Sequence, residues 1–579
     1  MVKQYSKYGS DLVVDLLQRY GIEYVSLNPG SSFRGLHDSL VNYGGNRPEI
    51  IECPHEEVAV AMAHGYAKAT GKPMAAIVHN VVGLLHATMA IYYAYLDRVP
   101  VIVIGATGPM DTARRRPHID WIHTAVVQGN AVRDYVKWDD QPFSAEAVPD
   151  SFARAYRVAM TEPRGPVYLC YDVSFQEDPL PGGIALPDPA RTAPPTPLQA
   201  EQGALGRLAD WLVQADLPII LTEYIARVPG SVAALVELAE LVGAGVVDLN
   251  GRLNFPTRHA LNVTHGDLLP EADLVLALDV SDLYGELTRL DRVSRRTEYL
   301  TRQGCRLAEI GFGDLQIGGW SQAFQKLQEV DLSILADTAV ALPEVVRLCR
   351  QRLDGAGERR AAERRRRVEA AHHAAMRAWE IDAHADWDAQ PMTPARLASE
   401  VWEGIKGEDW VLTAGTLNDW ALRLWDMEGP HRHAGRSLGT ATQIGISLGV
   451  ALAHRGSGKL VVDLQPDGDL LFDASALWVA AHHQIPMLAV MYNNRAYYND
   501  WDHQIRIAKA RGTDEAKAYL GMEIDNPPPD FAGLARSFGW YAEGPITDPR
   551  EVGPALQRAI HVIKTEGRPA LLDTVTRFR

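Results

Sequence analysis

Hydrophobic and polar positions along this chain follow two alternating periods. Within residues 10–20, Leu12, Val13, Leu16 and Leu17 share one face at helical spacing, and residues 24–27 then form an apolar run of strand length. The Ala-rich residues 56–70 predict a helix closed by Gly71, followed by strands over 75–78 and 99–104. The alternation restarts at 217–221, with a helix over 232–241 and strands over 245–249 and 274–278. It restarts again after Pro394, with strands over 410–413, 460–463, 487–492 and 570–574. Strands alternating with helices predict parallel sheets. A Pro- and Ala-rich stretch, 179–197, and a charged one, 354–380, divide the three runs. The expected fold class is α/β, with three doubly wound domains of mainly parallel sheets over residues 1–180, 198–352 and 385–579. The charged stretch reads as a solvated linking helix.

Composition narrows the classes. A length of 579 residues accommodates three such domains. The net charge of −16 argues against nucleic acid or an anionic membrane as partner. Four scattered cysteines, Cys53, Cys170, Cys305 and Cys349, show no metal-ligand spacing and suit a reduced, cytoplasmic compartment. The first residues run into an amphipathic segment with Asp11 and Asp15, unlike the apolar core of a signal peptide. No apolar run reaches membrane-spanning length.

The candidate chemistry sits at strand ends. Gln465, Pro466, Asp467, Gly468 and Asp469 follow one strand as an acidic turn before a helix over 474–482. Tyr492, Asn493, Asn494, Arg495 and Ala496 follow the next strand. Parallel sheets place ligands at the C-terminal ends of strands. Asp467 offers a carboxylate, Asn494 an amide oxygen and Ala496 a backbone carbonyl, an oxygen set suited to Mg²⁺. The N–H groups of Gly468 and Asp469 are placed to hold a phosphate.

This pattern resembles the diphosphate motif of thiamine-diphosphate (ThDP) enzymes, an acidic glycine turn and an Asn pair at fixed spacing. Pro466 replaces the first glycine, and Arg495 and Ala496 replace the glycine that often follows the Asn pair. The resemblance covers nearly the whole chain, in the order pyrimidine-binding, middle and diphosphate-binding domain. It implies ThDP and Mg²⁺ as cofactors, with Asp467, Asn494 and Ala496 as metal ligands. Pro54, His55, Glu56 and Glu57 open the helix that reaches Gly65, Tyr66 and Ala67, where the family carries its activating glutamate. Glu56 then bonds the aminopyrimidine and favours the tautomer that removes the thiazolium proton, work that suits a carboxyl in an apolar pocket. Leu438, in Ser437-Leu438-Gly439, matches the apolar wedge under the cofactor. The Arg436 carbonyl matches the acceptor for its amino group, and Gly415 and Thr416 complete the diphosphate cradle.

The turn Asn28-Pro29-Gly30-Ser31 and His79 resemble benzoylformate decarboxylase, which implies substrate and proton-transfer roles for Ser31 and His79. His118 and His123 lie where another loop of such enzymes brings histidines to the site. Tyr497, Tyr498 and Trp501 either line an aromatic-substrate pocket or pack the following helix. The reading is a ThDP-dependent 2-oxo acid decarboxylase or aldehyde carboligase or lyase, possible for aryl substrates. The alternatives are an acetolactate-synthase-like transferase and an inactive nucleotide-binding relative. The expected partners are a 2-oxo acid, aldehyde or ketone and a second copy of the chain. The resemblance implies a homodimer or homotetramer with sites shared between subunits. The apolar residues 84–95 supply either part of that contact or an internal core helix.

Overall fold

The computed structural model describes residues 6–116, 120–180, 182–316, 322–437 and 439–578. They form two compact units: residues 1–196 with 437–457 and 469–487, and residues 197–436 with 458–468 and 488–579.

The first unit is built on a six-stranded parallel sheet. Its strands are β1 (Tyr24–Leu27), β2 (Glu49–Glu52), β3 (Met74–Ile77), β4 (Val101–Thr107), β5 (Trp138–Asp140) and β6 (Val167–Asp172), in the order β2-β1-β3-β4-β6-β5. β3 and β4 are buried at every position, as expected for central strands covered on both faces. The helix Glu56–Thr70 has the bounds its pattern predicts and ends on Gly71 at φ 70°. Two glycine-bearing helices then meet at backbone distance. A Cβ on Gly65 would lie 2.0 Å from the Ile446 carbonyl oxygen, and one on Gly449 would lie 2.0 Å from that of Met62. The helix Thr442–Ala453 therefore rests directly on Glu56–Thr70, and both come from one chain. Asp97, which ends the helix Val81–Leu96, accepts from Lys68 Nζ at 2.8 Å and pairs with His64 Nε2 at 2.7 Å. All three side chains are buried, so the charges are matched where water is excluded.

The second unit holds two parallel sheets. One has the order β13-β12-β9-β7-β8, from β7 (Pro218–Thr222), β8 (Gly245–Asp248), β9 (Leu274–Leu278), β12 (Arg306–Gly311) and β13 (Leu332–Leu335). An antiparallel pair, β10 (Thr288–Leu290) and β11 (Thr297–Tyr299), lies between β9 and β12 in the chain. The other sheet has the order β14-β15-β16-β18-β17, from β14 (Trp410–Leu412), β15 (Leu460–Pro466), β16 (Leu488–Asn493), β17 (Tyr541–Ile546) and β18 (Ala570–Val575). The doubly wound α/β class is as expected.

Three local expectations change. β15 runs three residues further than the expected 460–463, to Pro466, because Gln465 and Pro466 still pair with Met491 and Tyr492 of β16. The acidic stretch is accordingly a direct strand-to-helix junction, with the helix Asp467–Phe472 starting at once. The helix expected over 474–482 begins at Ala476. The charged linker is a single helix, Gly355–His384, and is not wholly solvated. Arg364 is 4% exposed and donates to the carbonyls of Leu212, Val213, Ala215 and Val242. These are the orphan acceptors at the ends of the helices Gln202–Gln214 and Ser231–Val242. A guanidinium there meets two negative helix ends at once.

Candidate active site

In the first unit the reactive side chains gather around the start of the helix Glu56–Thr70. Glu56 is 3% exposed, and His86 Nδ1 lies 3.1 Å from its Oε2. The other carboxylate oxygen faces Gly83, where a Cβ would lie 2.7 Å from Glu56 Oε1 and 2.9 Å from His79 Cβ. Only glycine lets the first turn of Val81–Leu96 approach Glu56 this closely. The His86 ring stacks on His55, with centroids 5.0 Å apart and planes at 20°. His55 caps the helix by accepting from the Glu57 N–H, and burial holds its imidazole below the ordinary value.

His79 follows β3 and is wrapped by the Asn28-Pro29-Gly30 turn. A Cβ on Gly30 would stand 3.0 Å from its ring. The hydroxyl that reaches His79 Nδ1, at 2.7 Å, is that of Ser32 rather than its neighbour Ser31. Ser31 and Ser32 share a 3₁₀ turn, Ser31–Phe33, in which Ser32 is buried and Ser31 half-buried. His123 meets His79 edge to face at 5.1 Å, and its Nδ1 is buried with no hydrogen-bond partner. Burial first, then the neighbouring His123, holds the His79 imidazole below its ordinary value, so it is neutral near pH 7. His118 lies outside the described residues.

Thr440 and Ala441 turn left-handed, at φ 53° and 70°, and the Ala441 N–H donates to Asp469 Oδ1 at 2.7 Å. Leu438 lies outside the described residues. Glu57 and Asp473 are both raised to about 7, by burial and then by neighbouring carboxylates.

In the second unit Asp467 and Asn494 follow the adjacent parallel strands β15 and β16. Asp467 is buried, and its Oδ2 has no hydrogen-bond partner. Burial pushes the carboxyl up to about 6, against the pull of the N–H groups of Gly468, Arg495 and Ala496. A divalent cation supplies what such an orphaned oxygen lacks. Asn494 Oδ1 accepts from the Ala496 N–H at 2.9 Å, which fixes the amide and brings Ala496 beneath it. Arg495 takes φ 58°, the bend this turn needs. The Tyr497 ring lies on Gly468, where a Cβ would come within 2.6 Å. Tyr498 and Trp501 pack elsewhere. Tyr498 stacks on Phe578 at 4.3 Å and Trp501 meets the same ring at 5.2 Å, so the C-terminal residues hold this helix.

After β14, Thr416 Oγ1 bonds Asp419 Oδ1 at 3.2 Å, and Leu417, Asn418 and Asp419 are all left-handed. Gly415 lies just before this turn. Arg436 is fixed through its side chain, which donates to Glu223 Oε1 at 2.8 Å. Gly435, at φ 96°, lets that backbone touch Gly251, whose carbonyl oxygen would sit 2.4 Å from a Cβ. The donors present fit Mg²⁺ and a diphosphate.

His86, Ser32, and the pair Glu57 and Asp473 escaped the sequence reading. A lone imidazole inside the apolar run 81–96 was the available signal for His86. Nothing in the spacing separates Ser32 from Ser31.

Residues 7–128 match the thiamine pyrophosphate enzyme, N-terminal TPP binding domain, and residues 413–574 match the C-terminal TPP binding domain. The chain is 24% identical to acetolactate synthase isozyme 3 large subunit of Escherichia coli, over 96% of this chain and 92% of that one. It is also 24% identical to benzoylformate decarboxylase of Pseudomonas aeruginosa, over 97% of each. A solved structure of the thiamine diphosphate-dependent 4-hydroxybenzoylformate decarboxylase of Rhodococcus jostii shares the fold. Its TM-score is 0.74, with 19% identity over 99% of both chains. Among the described residues no helix is long and apolar enough to cross a membrane.

Proposed function

The chain belongs to the thiamine-diphosphate-dependent enzymes, and from that premise we propose that it decarboxylates a 2-oxo acid. ThDP and Mg²⁺ are its cofactors, and its chemistry is the breaking or making of a carbon–carbon bond next to a carbonyl. ThDP supplies the electron sink that such a reaction needs. Everything else falls to the chain's own residues.

Asp467 and Asn494 hold Mg²⁺ with the Ala496 carbonyl. Gly468, Asp469, Gly415 and Thr416 cradle the diphosphate. The Arg436 carbonyl and Leu438 orient the ring system. Glu56 holds a proton against the aminopyrimidine, and His86 positions that carboxyl. We assign pyrimidine-binding, middle and diphosphate-binding roles to residues 1–180, 198–352 and 385–579, a reading supported by one parallel sheet in each.

One observation carries the choice of a 2-oxo acid. Ser32 is hydrogen-bonded to His79, His123 packs edge to face on the same ring, and Gly83 lies against both the His79 Cβ and the Glu56 carboxylate. Two imidazoles and a hydroxyl suit a carboxylate substrate, and His79 would return a proton once carbon dioxide has left. Ser31, beside Ser32, lines the same turn. The aryl 2-oxo acids acted on by the decarboxylases named above are the first substrates to test.

The test is a panel of benzoylformate, 4-hydroxybenzoylformate and pyruvate, with carbon dioxide and products measured together. One aldehyde per 2-oxo acid supports the reading. Consumption of two 2-oxo acids per product makes the chain an acetolactate-synthase-like transferase instead. We also propose a cytoplasmic homodimer. A shared site would take Glu56 from one subunit and Asp467 from the other rather than both from one chain. Mixing inactive Glu56→Gln and Asp467→Ala chains distinguishes the two, since only the shared form regains activity in hybrids.

A further inference from the structure

A second group of ligand-type side chains lies beside Glu56 and takes no part in the chemistry above. His55 precedes the helix Glu56–Thr70, Glu57 is its second residue, and Asp473 directly follows the helix Asp467–Phe472. One donor atom from each, a ring nitrogen and two carboxylate oxygens, lies within 4.8 Å of the others. His55 Nδ1 accepts one long bond, 3.3 Å, from the Glu57 N–H, which leaves its lone pair weakly used.

Asp473 makes this more than a cluster. It is 7% exposed, and its Oδ2 is buried without a hydrogen-bond partner. The charges acting on Glu57 are those of Asp473 and Asp469, both acids. Buried carboxylates persist when they are paired, protonated or bound to a metal. An imidazole with two carboxylates is a donor set for Zn²⁺ and its first-row neighbours, whereas Mg²⁺ takes oxygen alone. Three protein ligands leave a position for water.

We propose that His55, Glu57 and Asp473 form a second cation site, for a first-row divalent ion of the Zn²⁺ class, distinct from the Asp467 and Asn494 site. Drawing the three donors in by about 1 Å brings them to Zn²⁺ bonding distance of about 2 Å. The ion ties residues on either side of Glu56 to the segment after the second helix. It thereby fixes the start of the helix that carries Glu56, and it does so whatever reaction Glu56 serves.

The test uses the full, tag-free chain stripped of metal, without ThDP and in excess Mg²⁺, titrated with Co²⁺ while its visible absorption is followed. One Co²⁺ per chain is expected in the wild type and in Asp467→Ala. Asp473→Asn and His55→Gln should each bind at least about tenfold more weakly. Zn²⁺ should raise the Tm of the wild type and leave that of Asp473→Asn unchanged. Asp473→Asn removes an uncompensated buried carboxylate, so its metal-free Tm should equal or exceed the wild type's; His55→Gln provides the second reading. Equal Co²⁺ affinity in both variants, loss of the ion in Asp467→Ala, or no Zn²⁺ effect on the wild-type Tm overturns the proposal. Loss of the ion in His86→Asn would move the site to His55, Glu56 and His86 and overturn it equally.

Discussion

His86 Nδ1 stands 3.1 Å from Glu56 Oε2, against a carboxylate whose other oxygen is pressed on Gly83. The imidazole fixes the orientation of the carboxyl proposed to exchange a proton with the cofactor. Replacing Glu56 by Gln should leave ThDP affinity intact and lower turnover by about two to four orders of magnitude. His86→Leu should act in the same direction and less, by about tenfold. Deuterium exchange at the thiazolium of bound ThDP should slow in both variants, and His86→Asn should recover part of the loss. Normal exchange in Glu56→Gln would show that the carboxyl is not the activator.

The contact through Gly65 and Gly449 has no room for a side chain. Gly65→Ala forces a methyl onto the Ile446 backbone, which cannot swing aside as a side chain does. The cost should be about 3 kcal/mol, at the upper end for overpacking. Gly407, with nothing within 4 Å of its Cβ position, is the control, and Gly407→Ala should shift stability by under about 0.5 kcal/mol. Urea unfolding curves compare the two.

Arg364 is a buried cation bonded to four carbonyls at two helix ends. Arg364→Met leaves those acceptors unsatisfied and should destabilise the second unit by about 3 kcal/mol. Exposed Arg366, in the same basic run, should tolerate alanine within about 0.5 kcal/mol. Thermal unfolding of both variants separates a structural role for this helix from a solvated one.

Much of this molecule could be read from its residues, and the exceptions have physical causes. The helix Glu56–Thr70 was legible because an Ala-rich run is closed by a glycine, and both signals are local. β15 is longer than the expected 460–463 because the unbroken apolar run stops at Val462 while the backbone ladder continues through Gln465 and Pro466. That ladder depends on the partner strand. Arg364 was hidden in a run of arginines that differ only in which helix ends they face. Asp467, Asn494 and Glu56 stood out because the chemistry of the family the chain resembles calls for such atoms at strand and helix ends. Ser32, His86 and Asp473 meet His79, Glu56 and Glu57 through contacts between distant segments, and their spacing along the chain carries no such signal.

His483 sets a pH dependence. Its Nε2 accepts from the Glu52 N–H at 2.8 Å, which requires a neutral ring, and burial followed by the neighbouring His482 lowers its pKa to about 4. An ordinary histidine titrates near about 6.5. Between these values the unfolded chain holds the extra proton, so stability falls as pH drops from about 6.5 to about 4 and levels off below. His483→Gln keeps an acceptor without a titrating group and should flatten that part of the curve. Tm measured from pH 7.5 to 4 checks it, and an unchanged slope in the variant would assign the effect to other groups.

Asp467, whose buried Oδ2 lacks a hydrogen-bond partner, and Asn494 follow adjacent parallel strands and together carry the proposed cofactor site. The most direct measurement is calorimetric titration of ThDP in the presence of Mg²⁺ into the wild type and Asp467→Ala, with circular dichroism confirming that the variant is folded. Saturable, Mg²⁺-dependent binding in the wild type and its loss in a folded Asp467→Ala is the predicted result. Equal affinity in the two proteins would contradict the cofactor site described here.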